Sequence, residues 1–108
     1  MTLRFFFDFG SGTVLWAGDD RTRDGLGYAI RPCSLPVDEN LHRRAEFLAA
    51  WWDTFLDWSS PPEMSVYWQS ERNRFDDACD DFLVQLRAQL GEGTIVLDQR
   101  KMKREADR

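Results

Sequence analysis

Residues 4–20 read RFFFDFGSGTVLWAGDD, and how this stretch folds decides what the rest of the chain must do. Phe5, Phe6, Phe7 and Phe9 precede Gly10-Ser11-Gly12, and Thr13, Val14, Leu15 and Trp16 follow it. Two apolar runs on either side of a glycine-rich turn predict a β-hairpin with strands over residues 3–9 and 13–17, because glycine reaches the positive φ that a chain reversal needs. The first run is almost continuously apolar, which suits a strand covered on both faces or one whose rings spill over an edge. Later segments must therefore supply the cover.

Working outward, Gly18-Asp19-Asp20 ends the second strand with residues that favour turns and helix N-caps. Residues 21–27 are polar and carry two glycines, so they predict a loop with room for one helical turn. Tyr28, Ala29 and Ile30 form a short third strand that Arg31-Pro32 stops. Pro36-Val37-Asp38-Glu39 opens a helix predicted over residues 38–58. Leu41, Ala45, Leu48, Trp52 and Phe55 recur along it at spacings of four, three, four and three, while Phe47, Trp51 and Trp58 make a neighbouring stripe. Two stripes predict contact with both the sheet and a second helix.

Ser59-Ser60-Pro61-Pro62 breaks the pattern, and residues 63–69 read as a connector in which Met64, Val66, Tyr67 and Trp68 fold back over the core edge. Ser70 and Glu71 open the second long helix, along which Phe75, Cys79, Phe82, Leu86 and Leu90 recur at four, three, four and four. Gly91 and Gly93 end it, and Thr94-Ile95-Val96-Leu97 is a last, β-branched strand. The fold class is α+β: a small, mainly antiparallel sheet of three to four strands, built from the N-terminal hairpin and the C-terminal strand, with two long helices packed on one face. One domain spans residues 1–98, and residues 99–108 form a charged C-terminal tail.

In a chain of 108 residues, five Trp and eight Phe mean that a few large rings carry much of the burial. The formal net charge of -5 is unevenly placed. Arg100, Lys101, Lys103, Arg104 and Arg108 outweigh Glu105 and Asp107 by three charges in the last ten residues, which leaves -8 on residues 1–98. So acidic a body repels phosphate backbones and anionic lipid, disfavouring nucleic-acid and membrane partners and favouring a basic protein surface. Asp8 interrupts the apolar start too early for a signal peptide, and Cys33 and Cys79 lie far apart. These features predict a cytoplasmic protein with reduced thiols and no membrane-spanning helix.

Few constellations suggest chemistry. Asp8-Phe9-Gly10-Ser11-Gly12-Thr13 is similar to the phosphate-binding turn of actin-like ATPases over six residues, but 108 residues cannot hold the two lobes such a site needs, so a hairpin turn is the better account. His42 lies between no obvious acid partners and beside Arg43 and Arg44, which reads as a solvated helix residue. One histidine and two distant cysteines match no zinc spacing, and no metal or cofactor is expected. The carboxylates say more. Asp76 with Asp80, and Asp77 with Asp81, are like-charge pairs at i, i+4, each costing a helix roughly 0.2–0.5 kcal/mol. Either the helix dipole and Arg72 and Arg74 offset that cost, or the row is an acidic face that docks a basic partner. Trp58, Tyr67 and Trp68 stand in the same window and supply anchors that bury area.

Leu15-Trp16-Ala17-Gly18-Asp19-Asp20, Gly27-Tyr28-Ala29-Ile30, Trp51-Trp52-Asp53 and Trp58, taken with the acidity and layout, give the chain a likeness. It resembles the small acidic immunity proteins encoded beside bacterial polymorphic toxins, including those of contact-dependent growth inhibition. The resemblance implies a cytoplasmic protein that binds one cognate toxin domain, often a basic nuclease, and blocks its active site or substrate surface; the expectation beside it is a non-catalytic chain, monomeric or weakly homodimeric. From charge and aromatic placement, the expected partner-binding residues are Asp19, Asp20, Trp58, Trp68, Asp76, Asp77, Asp80 and Asp81. Two alternatives stand beside this one: a small enzyme using the carboxylates, and a structural subunit that dimerises through an apolar strand or a Trp-rich helix face.

Overall fold

The computed structural model describes residues 1–100. Its four-stranded sheet has the order β3-β2-β1-β4, with β1 Thr2–Phe5, β2 Leu15–Ala17, β3 Ala29–Ile30 and β4 Ile95–Asp98. The N-terminal hairpin is present, β1 and β2 pairing antiparallel with Leu3 opposite Ala17 and Phe5 opposite Leu15. Its strands are shorter than the apolar runs. After Phe6 donates its N–H to the Val14 carbonyl, the chain leaves the ladder. Phe7 and Phe9 then both stack on Trp52, with ring centroids 5.1 and 4.8 Å away. A strand sends alternate side chains to opposite faces, so odd-numbered rings reach the core together and Phe6 must go elsewhere. It stacks on Trp16 at 4.7 Å, on the sheet's other face. Gly10 and Gly12, at φ 79° and 73°, complete the reversal.

Helix α1, Asp20–Leu26, occupies the segment expected to be mostly loop. Asp19 caps it, accepting a 2.8 Å hydrogen bond from the Thr22 N–H, and Gly27 at φ 87° ends it. Helix α2, Glu39–Asp53, begins as the sequence predicts, with the Asp38 carboxylate accepting from the Leu41 N–H, but stops five residues short of the predicted end. Phe55 is fully buried beyond it, and reaching that position requires the chain to turn: the Thr54 hydroxyl donates to the Trp51 carbonyl and the Trp58 indole N–H to the Asp53 carbonyl. Both bonds satisfy carbonyls that a helix end leaves open. Trp58 is therefore not part of a helical stripe. Phe47, expected on the broad buried face, is 64% exposed, because contact with sheet and second helix is already supplied by the Leu41, Ala45, Leu48 and Trp52 row.

Helix α3, Val66–Leu90, starts four residues before the predicted Ser70, with Ser65 as its cap. The Ser65 side chain accepts from the Tyr67 N–H, which turns the supposed connector residues Val66, Tyr67 and Trp68 into a first helical turn. At 1.5 Å per residue the 25 residues carry the chain about 37 Å. That length returns it to the start of β1, where the Ile95 N–H donates to the Met1 carbonyl and β4 runs parallel to β1. The sheet is thus mixed, with two antiparallel pairings and one parallel.

Leu3, Phe5, Leu15, Ala17, Ile30 and Val96 share one sheet face and form one buried cluster with Leu41, Ala45, Leu48 and Trp52 of α2 and Phe75, Cys79, Phe82 and Leu86 of α3. Alternate residues face the other way, where Ile95 and Leu97 stay largely exposed and Trp16 is covered by its own neighbours Phe6 and Tyr28. The edge of β4 is guarded: the Arg87 guanidinium donates to the Val96 carbonyl at 2.7 Å. Gln99 and Arg100, assigned from sequence to the tail, belong to the fold, since the Gln99 N–H donates to the Phe5 carbonyl. The remainder of the expected tail lies outside the described residues.

Candidate functional site

The carboxylate row on α3 is held from within. Asp76 follows Phe75 and precedes Cys79 by one turn, so its side chain turns inward and is only 9% exposed. Arg100, 7% exposed, reaches it from the end of β4 with a 2.7 Å contact. The same guanidinium bonds Asp80 at 2.6 Å and Asp98 at 2.7 Å, and lies over the Phe5 ring. Burial alone pulls the Arg100 pKa down; the hydrogen bonds it donates to the Asp98 and Asp80 carboxylates, and the charges of Asp98 and Asp76, overcome this and hold it above the ordinary arginine range. Next to the cluster, burial pushes the Cys79 thiol up to about 12 despite the nearby guanidinium. Asp81 pairs with Arg44 of α2 at 2.6 Å. Part of the compensation that the like-charge spacing demands thus comes from Arg100 and Arg44, not from the dipole alone.

The predicted partner-binding residues are not all brought together. Asp76 is an interior ion-pair member, while Asp77, Asp80 and Asp81 remain exposed on α3. Asp19 and Asp20 sit at the start of α1, which packs on β2; Asp19 caps the helix and Asp20 pairs with Arg23 at 3.1 Å. Side-chain and backbone hydrogen bonds from Thr22 hold the Asp19 pKa below its usual value. Trp68 is half-buried against Trp52 and Phe55 with Arg72 over its ring, so it chiefly closes the core. Trp58 is the opposite case, 56% exposed at the surface.

Sequence reasoning did not find a cleft of about 760 Å³ between the hairpin tip, the segment after β3 and one side of α2. Ser11, Gly12 and Thr13 form one wall, Arg31 and Cys33 another, and His42, Glu46 and Asp53 line the helix side. His42 is not merely solvated: its Nε2 lies 2.8 Å from a Glu46 carboxylate oxygen. The i, i+4 spacing of His42 and Glu46 was a visible signal for that pair. Asp53 also closes the tip onto the helix, accepting a 2.9 Å hydrogen bond from the Gly10 N–H. Among the described residues, no group of three or more His, Cys, Asp or Glu is arranged to hold a metal ion, and no helix is long and apolar enough to cross a membrane.

Comparison with curated proteins finds no match to this chain. A family model described as Serratia CdiI immunity protein-like matches residues 1–97, which takes in every strand and helix except the last residue of β4. The chain, an acidic α+β domain with its two long helices packed on one face of the sheet, belongs to the Serratia CdiI immunity protein-like family.

Proposed function

We propose that this protein neutralises one cognate toxin domain by sitting on a basic surface of that domain, acting by occlusion and without catalysis. The observation that carries the proposal is the family match across residues 1–97. Charge supports the mechanism: residues 1–98 hold a net charge of -8, and no lysine occurs before Lys101. Such a body is drawn to a basic surface and accelerates encounter with it. The contact surface draws on Asp19, Asp20, Asp77, Asp80, Asp81 and Trp58, with Asp76 and Trp68 acting from inside by holding α3 in place. A toxin whose active site must accept an anionic substrate offers the complementary face, and a bound acidic domain excludes that substrate both by bulk and by charge.

The test uses a toxin domain of a contact-dependent growth inhibition system, sought first in the gene next to this one. Co-expression is expected to restore growth, and the purified pair to form a complex whose association slows steeply as salt is raised. Asp80 is tied to Arg100, so the charge variant should spare it: Asp77→Lys combined with Asp81→Asn is expected to slow association and flatten the salt dependence while leaving the melting curve near that of the native chain. A complex whose association rate is indifferent to salt would remove the electrostatic mechanism, and failure of the native chain to protect would remove the toxin assignment.

A further inference from the structure

Four acids outside α3 carry charge that no ion pair among the described residues answers, and they lie close together along the chain's turns. Arg100 and Arg44 engage Asp76, Asp80 and Asp81, but among the described residues Asp8, Asp53, Asp57 and Glu63 take part in no ion pair. All four are gathered by the same corner. Asp8 precedes Phe9, whose ring meets Trp58 edge-on at 6.4 Å; Asp53 accepts from Trp58 through its carbonyl and from Gly10 through its carboxylate; Asp57 adjoins Trp58, and its N–H donates to the Glu63 carbonyl.

Trp58 is exposed yet held. Its N–H is tied to the Asp53 carbonyl at 2.8 Å, its edge rests on Phe9, and a Cβ placed on Gly10 would stand 3.5 Å from its ring. An indole fixed in this way loses little conformational entropy when a partner covers it, which is the property of an interface anchor. The cleft beside it, bounded by Asp53 and Glu46, has space for a long side chain. Its one arginine, Arg31, is on the wall that the segment after β3 provides.

Resting on the reading of this chain as a cover for a basic toxin surface, we propose that Trp58, with the carboxylates of Asp53, Asp57 and Asp8, is the centre of that interface and receives a basic segment of the toxin domain. An arginine or lysine of that segment stacks on the indole face while the surrounding carboxylates take its hydrogen bonds and charge. On α3, Asp80 and Asp81, paired with Arg100 and Arg44, contribute at the rim.

The probe is the same toxin domain, measured by surface plasmon resonance against the native chain, Trp58→Ala, Asp53→Asn/Asp57→Asn, and a control of equal charge change, Asp24→Asn/Glu92→Gln. Trp58→Ala is expected to raise Kd at least about tenfold, mostly through faster dissociation. The corner pair should lower the association rate and the salt dependence more than the control pair does. In the native chain, the indole N–H resonance assigned to Trp58 by its loss in Trp58→Phe should shift on saturation. A Trp58→Ala complex within twofold of native affinity, or an unmoved Trp58 resonance in the complex, overturns this proposal while leaving the toxin-binding function intact. Absence of any native complex overturns both.

Discussion

Replacing Arg100 by Met should be among the most damaging single changes available outside the aromatic core. The methionine keeps an apolar stem near Phe5 and removes only the guanidinium that three aspartates share. These three contacts are unequal. Asp80 is 60% exposed, and a pair with so wet a partner is worth about 0–1 kcal/mol. Asp76 is 9% exposed, and taking the Arg100 cation from a carboxylate so buried costs up to about 3–5 kcal/mol, since its charge stays desolvated. The expected loss is therefore about 4 kcal/mol, out of a total of about 5–15 kcal/mol for a domain. At about 4–8 °C per kcal/mol for a domain of this size, the melting temperature should fall by about 15–30 °C. Urea denaturation followed by circular dichroism reads the loss directly. Asp80→Asn should cost no more than about 1 kcal/mol, and combining Arg100→Met with Asp76→Leu should recover much of the loss. Because the Arg100 pKa is raised, its contribution is complete below the ordinary arginine value and disappears only as pH climbs through the still higher folded value, so the deficit should stay constant from neutral to moderately alkaline pH. An Arg100→Met chain within about 0.5 kcal/mol of native stability, a surface-substitution effect, would refute the reasoning.

A thiol reagent at neutral pH should modify the exposed Cys33 quickly and Cys79 only on unfolding, and stability should decline as pH rises from 9, where the unfolded thiol ionises, towards 12, where the buried one does; a second fast-reacting thiol in the native chain would contradict the burial. Asp19→Ala should lower the melting temperature by uncapping α1, and because the native Asp19 pKa is depressed, the gap between variant and native should be full above about pH 3.8 and close as pH falls through the lower folded value. A pH-independent gap would point to some other role for that side chain.

Where a segment's fate depended on its own residues, it was legible beforehand. The Leu41 and Phe75 stripes put the right side chains in the core, Gly91 ends α3, and Asp38 starts α2. Helix ends misread from sequence were those decided by a partner far along the chain. Nothing local tells Phe55 to leave a helix; it does so because Phe75 and Trp68 offer a packed site, at 5.1 and 5.3 Å between rings. Val66, Tyr67 and Trp68 read as a connector until Ser65 caps them, and Ser65 is itself held in place by the carbonyls of Thr54 and Phe55, which accept from its hydroxyl and its N–H. Asp76 carried a usable signal, lying between two core positions of the stripe, and Asp98-Gln99-Arg100 placed a cation just past a strand; neither locates the other.

The amino-acid sequence by itself determined the strands and the two long helices, their order, the stripes of the core and the acidity of the body, because periodicity, caps and charge are properties of neighbours along the chain. Only the tertiary structure decided which acids are already answered. Coulomb energy depends on separation and burial in space, so Arg100, 24 residues from Asp76 along the chain, silences part of α3, while Gly10 and Asp53, 43 residues apart, bring the hairpin tip to Trp58 and gather acids with no cation of their own.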